Sequence, residues 1–380
     1  MTSKERVMMA LDHKEPDKIP LDLGAGKACK FTRGFYVKLL SYLGLEEDID
    51  ICAKANQQVF ASDEVLEKLG CDVRAARVKT IPVGIRRAKD WEDETSFYMS
   101  DDWGTTYRMP KNSPRYYDMC GFPLKDAEES ADERYEFPTP ALVKPECRKM
   151  AEDYQSAGYP VMVCEHFANG FLQTGPRLYG FNNWLAMIAG DEERACKFLD
   201  KLVEKKMQWW DNVFDVYGDT VDIVAECDDL GTQTGPFISM AMFSSLILPY
   251  FKQVFDHIRS RSNAKILLHC CGSVVPFLSD FINIGLDILN PVQITAKNMD
   301  PYDLKKEFGK DLTFWGGAID TQKTLPFGTK QQVIDMVKRN TDAFAPGGGF
   351  IFTPVHAIQD DVPVENFMTM LETYREICRY

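Results

Sequence analysis

The chain has 380 residues, and 44 lysines and arginines against 57 aspartates and glutamates leave a formal charge of −13. That balance argues against a nucleic-acid partner, which needs a basic face. With 45% hydrophobic and 27% charged residues, the composition is that of a well-cored globule rather than a disordered or fibrous chain.

At about 150 residues per domain the length suggests two or three units, but α/β barrels run past roughly 250 residues as one, so the chain is expected to be a single domain only if a barrel can be read from it. Residues 1–20 alternate charged and apolar side chains and show no secretory pattern. No uncharged apolar run approaches the ~18 to 20 residues of a membrane helix. Eleven cysteines, an odd count, are scattered over the chain, which reads as reduced thiols and a cytoplasmic protein.

The first strand candidate is IPLDLG at 19–24. Residues 75–135 then read as antiparallel hairpins, rich in aromatics from Trp91 through Trp103 to Tyr117, and are expected to form an inserted cap or edge sheet. An ordinary aromatic-cored hairpin is the plainer alternative. From residue 159 one pattern repeats: a short apolar run, polar or glycine residues, then an amphipathic segment. The runs lie at 159–166, 221–229, 264–273, 286–293, 311–320 and 348–356. Such runs are the mark of parallel strands buried on both faces. Between them, Phe198, Leu199, Leu202 and Val203, and again Phe251, Val254, Phe255 and Ile258, follow helical spacing. With 19–24 and one further strand before residue 150, the count predicts a TIM-type (β/α)8 barrel, ahead of an open doubly wound sheet.

In such a barrel, chemistry collects where the strands end. The runs end in Cys164-Glu165-His166, Glu226-Cys227-Asp228-Asp229, His269-Cys270-Cys271-Gly272, Asn290-Pro291-Val292-Gln293, Gly316-Gly317 before Asp320, and Thr353-Pro354-Val355-His356. His269 and Cys271, two apart in extended chain, share a face, and their nitrogen and sulfur suit zinc. A buried thiol beside a hydrogen-bonded core histidine is the alternative. Asp228 and Asp229 could share a site and raise one pKa, giving a general acid; one in the site and one in a structural hydrogen bond is the favoured division. Glu165, His166, Gln233, Gln293 and Trp103 are the candidate substrate contacts. Gly347 to Gly349 precede a strand, and no phosphate-cradling glycine motif follows one.

Six segments carry a resemblance: RVMMALDHKEPDKIPLDLG, FASDEVLEKLGCDVR, ECDDLGTQTGPFIS, LLHCCGSVVPFLSDFINIGLDILNPVQ, DLTFWGGAIDTQKTLPFGT and GGFIFTPVHAIQDDVPVENF. Together, and in this order, they resemble the uroporphyrinogen decarboxylase-like superfamily over nearly the whole chain. The resemblance implies a TIM-type barrel and one of two chemistries. True decarboxylases carry an arginine-rich segment of the type RQAGRY; here the region reads LGAGKACKFTRGFYVKLL, which points away from a porphyrinogen. The other branch, corrinoid-dependent methyltransferases, binds zinc through His-x-Cys and a distant Cys.

His269 and Cys271 match the first two positions, and His356 stands where the distal Cys would fall. His356 then either replaces the sulfur as a ligand or acts as an acid without metal. The resemblance thus implies methyl transfer from a small donor, such as an aromatic methyl ether or a methylamine-like compound, to cobalt, with activation by zinc or by Asp228, Asp229 or His356. No DxHxxG signature is present, so cobalamin is expected on a separate corrinoid protein. A homodimer is compatible with this reading; a nucleic-acid or membrane partner is not. A decarboxylase of a small acid and a non-catalytic binding protein are the alternatives.

Overall fold

The computed structural model describes residues 1–26 and 29–380. Seven parallel strands form one sheet: β1 (Arg74–Ala75), β2 (Val161–Val163), β3 (Ile223–Cys227), β4 (Lys265–His269), β5 (Ile288–Asn290), β6 (Thr313–Trp315) and β7 (Phe350–Ile351), neighbours in chain order. The register places Met162 beside Ile223, Leu268 beside Leu289 and Trp315 beside Ile351. All five residues of β3 are buried, as expected when helices cover one face and the barrel interior fills the other.

The segment 19–23 joins the two outer strands of this sheet. Asp22 N donates to the Phe352 carbonyl at 3.0 Å and Phe352 N to the Pro20 carbonyl at 2.8 Å. On the other side Asp72 N donates to the Leu21 carbonyl at 2.8 Å. The curled sheet has the arrangement of a TIM-type barrel, with six strands at the six repeated runs and the rest from 19–23 and β1.

The helix Glu192–Tyr217 starts at Asp191, whose side chain accepts from Arg194 N, a cap that satisfies one of the donors left open in a first turn. Its Phe198, Leu199, Leu202 and Val203 are buried, as are Phe251, Val254, Phe255 and Ile258 of the helix Leu248–Arg261. Each such side chain contributes about 1.5–3 kcal/mol through burial. Lys206 falls on the same inward face, is fully buried, and donates to Glu226 Oε2 of β3 at 2.6 Å. Trp210 Nε1 donates to the other Glu226 oxygen at 2.7 Å.

Four antiparallel strands, Lys89–Glu92, Ser96–Ser100, Thr106–Pro110 and Asp118–Gly121, form a separate sheet. It is tied to the helix Phe171–Tyr179, which follows β2. Arg177 Nη2 reaches Asp101 Oδ2 at 2.6 Å, Tyr107 OH donates to that same oxygen at 2.8 Å, and Thr105 Oγ1 donates to the Arg177 carbonyl at 2.7 Å. Among the described residues no helix is long and apolar enough to cross a membrane.

Candidate active site

The two adjacent acids after β3 have different jobs. Asp228 is closed to solvent, and its two oxygens accept from Leu172 N at 2.8 Å and Gln173 N at 2.9 Å. It therefore caps the helix Phe171–Tyr179 from outside, where the N-cap residue, Gly170, has no side chain to do so. A Cβ on Gly170 would lie 2.0 Å from Asp228 Cβ, so this approach requires glycine. Burial pushes the Asp228 carboxyl up to about 7, against the opposing pull of the two N–H groups. Asp229 faces the other way: its Oδ1 accepts from Cys271 N at 2.8 Å and its Oδ2 from Gln173 Nε2 at 2.7 Å.

These bonds belong to a seam between the loops that follow β3 and β4. Asp228 N donates to the His269 carbonyl at 2.9 Å, and Ser273 N donates to the Thr232 carbonyl at 2.8 Å. The backbones touch at Gly231 and Gly272. A Cβ on Gly272, whose φ is +92°, would meet Gly231 O at 2.3 Å. Close backbone contact is what fixes Cys271 against Asp229.

At the mouth, one donor atom each from His269, Cys271 and His356 lies within 4.8 Å of the others. His269 Nε2 is 3.5 Å from Cys271 Sγ and 4.0 Å from Asp229 Oδ1. The His269 and His356 rings are 5.6 Å apart, centroid to centroid. The tautomer of His269 follows from its neighbour. Asn290 Nδ2 donates to the Trp315 carbonyl at 2.9 Å, so the other end of that amide is oxygen, and His269 Nδ1, 2.9 Å from it, carries the proton. Nε2 is thus the lone-pair nitrogen, and it faces Cys271. Trp315 is itself held by Nε1 donating to Asp22 at 2.9 Å.

The spacing suits a metal. Two bonds of ~2.0 and ~2.3 Å at a tetrahedral angle place nitrogen and sulfur about 3.5 Å apart, the separation found between His269 and Cys271. Burial, and next the Asp229 charge, push the Cys271 thiol well up; a bound cation reverses that preference and favours the thiolate.

Cys271, Asp229, Gln233 and Gln293 share a cavity of about 520 Å³, with Met119, Phe181 and Phe237 also on its wall. Gln293 holds the turn, its Oε1 accepting from Gly272 N at 2.7 Å, whereas Gln233 is exposed. Trp103, Glu165 and His166 line a second cavity of about 560 Å³, and Asn169 lies on the walls of both. Trp103 is only 5% exposed and packs on Phe137 and Phe167. His166 Nδ1 lies 3.2 Å from the Cys164 carbonyl. A larger cavity of about 610 Å³, by Glu15, Ile19 and Pro346, is at the amino ends of the strands, the face of a barrel that serves stability.

Two strand-end acids leave the cluster that the sequence suggests. Glu226 turns outward to Lys206 and Trp210 because alternate strand residues point to opposite faces. Asp320 accepts from the N–H groups of Gln322, Lys323 and Thr324 and shapes a turn. Asn290, which ends β5 and holds His269, carries no signal in the sequence beyond its place at a strand end. Ser239 caps the turn Met240–Met242, accepting from Met242 N.

A TIM-type barrel with histidine, cysteine and acidic side chains gathered at the carboxyl ends of its strands is the frame of an enzyme. Residues 171–377, more than half of the chain, match the family described as Uroporphyrinogen decarboxylase (URO-D), and the chain belongs to that family. Among solved structures it is similar to a methyltransferase from Methanosarcina mazei, with 16% identity, a TM-score of 0.63 and 99% of each chain covered. At that identity the likeness shows the shared fold. A dihydropteroate synthase from Coxiella burnetii (15% identity, TM-score 0.28, 49% of this chain and 62% of that one) and a β-glucosidase from Pyrococcus furiosus (11%, 0.32, 82% and 71%) overlap too little to bear on function. No curated protein matches the chain.

Proposed function

We propose that the chain is a methyltransferase that takes a methyl group from a small oxygen-linked donor and passes it to the cobalt of a corrinoid carried on a separate protein. The observation that carries this reading is the meeting of His269, Cys271 and His356 donor atoms within 4.8 Å at the barrel mouth. Two imidazoles and one thiolate are a donor set suited to zinc, with a position left for substrate. The shared fold with the methyltransferase from Methanosarcina mazei supports the same reading.

Zinc, when bound, supplies Lewis acidity toward the oxygen that the methyl group leaves. In the transfer the carbon–oxygen bond breaks with its electron pair going to oxygen, and a carbon–cobalt bond forms from the cobalt's pair. Asp229 lies on the same cavity wall as Cys271, and both of its oxygens accept hydrogen bonds, from Cys271 N and from Gln173 Nε2, so it holds Cys271 in place while the released oxygen takes its proton from solvent. Asp228, closed behind it, acts as a positioning residue for the helix that carries Gln173. The test is to mix the chain with free cob(I)alamin and a panel of aryl and alkyl methyl ethers and follow the corrinoid spectrum. Donor-dependent methylation is expected. Failure with every donor, together with carbon dioxide release from small acids, would overturn methyl transfer in favour of the family's other chemistry.

Asn290 provides a further check on the centre. Asn290→Leu removes the acceptor that fixes His269, and outer-sphere losses of this kind lower metal affinity by about 10- to 100-fold. Competition with a chromophoric chelator should read that drop. An unchanged affinity would mean that His269 does not bind through Nε2.

A further inference from the structure

Lys30 is 7% exposed and lines the second cavity. Its Nζ lies 3.5 Å from Cys52 Sγ and 4.4 Å from the centroid of the Phe60 ring. Among the described residues no carboxylate oxygen comes within 4.0 Å of it. Burial disfavours this ammonium, and Cys164, Cys52 and Glu165 near it favour it and hold it above the ordinary lysine range; none of these is a carboxylate in direct contact, and a bound anion would supply that partner. Cys52 does not cancel the charge, because burial raises its thiol above the ordinary range and keeps it neutral.

The other charged groups on this wall are arranged differently. Arg177 is paired with Asp101 and also donates to Tyr107. Asp102 accepts from Arg87 N and Ala88 N and pairs with Arg86 at 3.2 Å. Glu165 lines the cavity as well; among the described residues Lys30 is the one cation of this wall that no carboxylate pairs directly, Arg177 being bound to Asp101, and this favours a monoanion over a dianion. Trp103, Phe167 and Trp209 give the cavity flat apolar walls. The Trp209 indole is held in place by Nε1 donating to the Glu165 carbonyl at 3.2 Å.

We propose that Lys30 anchors a carboxylate subsite, so that the ligand of this cavity is a small organic acid with a flat, partly apolar body. Asn169 lies on the walls of both cavities, so in this proposal the acid's far end points past Asn169 to the side that Cys271 lines. Taking that acid as the methyl donor rests on the methyl-transfer reading; the subsite itself does not.

The test titrates benzoate, 4-methoxybenzoate and their neutral amides into the intact chain, read by tryptophan fluorescence, since Trp103 and Trp209 line the cavity. Saturable binding of the acids is expected, weakened about tenfold or more in Lys30→Met and in Lys30→Gln, as loss of a charge-assisted bond implies. Amide binding should change less than about twofold, on the scale where tenfold is 1.4 kcal/mol. Circular dichroism of both variants confirms that they are folded, and a neutral glutamine keeps the test open if methionine misfolds. Acid binding should persist after chelator treatment, so loss of the metal reading leaves this result standing. Equal affinity for acids and amides, no acid binding at all, or acid affinity indifferent to both variants would overturn the proposal.

Discussion

His356→Cys is expected to keep its zinc and a measurable rate of methyl transfer, whereas His356→Ala loses both, with transfer falling by more than the roughly 100-fold upper range for outer-sphere changes. The contrast follows from what each side chain can offer. Cysteine restores a soft donor at a position whose ligand atom lies within 4.8 Å of those of His269 and Cys271, and alanine offers none. It also separates the two roles that the sequence leaves open for His356. A general acid near neutral pH is not replaced by a thiol, so a proton-donating His356 would make the cysteine variant as inactive as the alanine one. Zinc analysis and the cob(I)alamin assay on the two variants decide between them.

Lys206→Met is expected to destabilise the fold by about 3–5 kcal/mol, the usual cost of removing one partner of a buried ion pair. Lys206 and Glu226 are both essentially closed to solvent. Removing the ammonium leaves the Glu226 carboxylate buried with the Trp210 indole as its one remaining side-chain donor among the described residues. The double variant Lys206→Met with Glu226→Gln should recover most of the loss, because the amide is neutral and still accepts from Trp210. Urea unfolding of the two variants measures this directly. If the single variant unfolds at the wild-type midpoint, the pair contributes no stability. The effect also reaches the site, since Glu226 and Asp228 flank Cys227 at the end of β3.

Most of the barrel was legible because its strands are buried on both faces and so appear as short apolar runs. Each of the six runs contains one of the strands β2 to β7. The segment 19–23 was legible for the same reason. β1, only two residues long, was not: Arg74 is buried there, and a charged residue in so short a strand breaks the apolar signature. The helix faces were read from their spacing, yet Lys206 sits on that inward face, and its charge hid the fact. Its position, three residues after Val203 and four before Trp210, was the available signal.

The site was legible as residue types at strand ends, and the fold brings His269, Cys271 and His356 together from distant parts of the sequence. What residue types could not convey was direction. Glu226 and Asp229 come from the same strand end, but one turns to the outer helix and the other to the cavity. The split of the polar contacts between two cavities, with Gln233 and Gln293 in one and Trp103, Glu165 and His166 in the other, likewise depends on how loops fold over the mouth. So does the role of Asn290, which depends on the Trp315 carbonyl that orients it.

The most direct measurement is the metal content, by elemental analysis, of the chain purified without a chelating column, beside Cys271→Ala prepared in the same way. The account predicts about one zinc per chain in the first and a loss of most of it in the second, as expected for a three-ligand centre stripped of its thiolate. Zinc absent from both, or present equally in both, would contradict a metal centre at His269, Cys271 and His356.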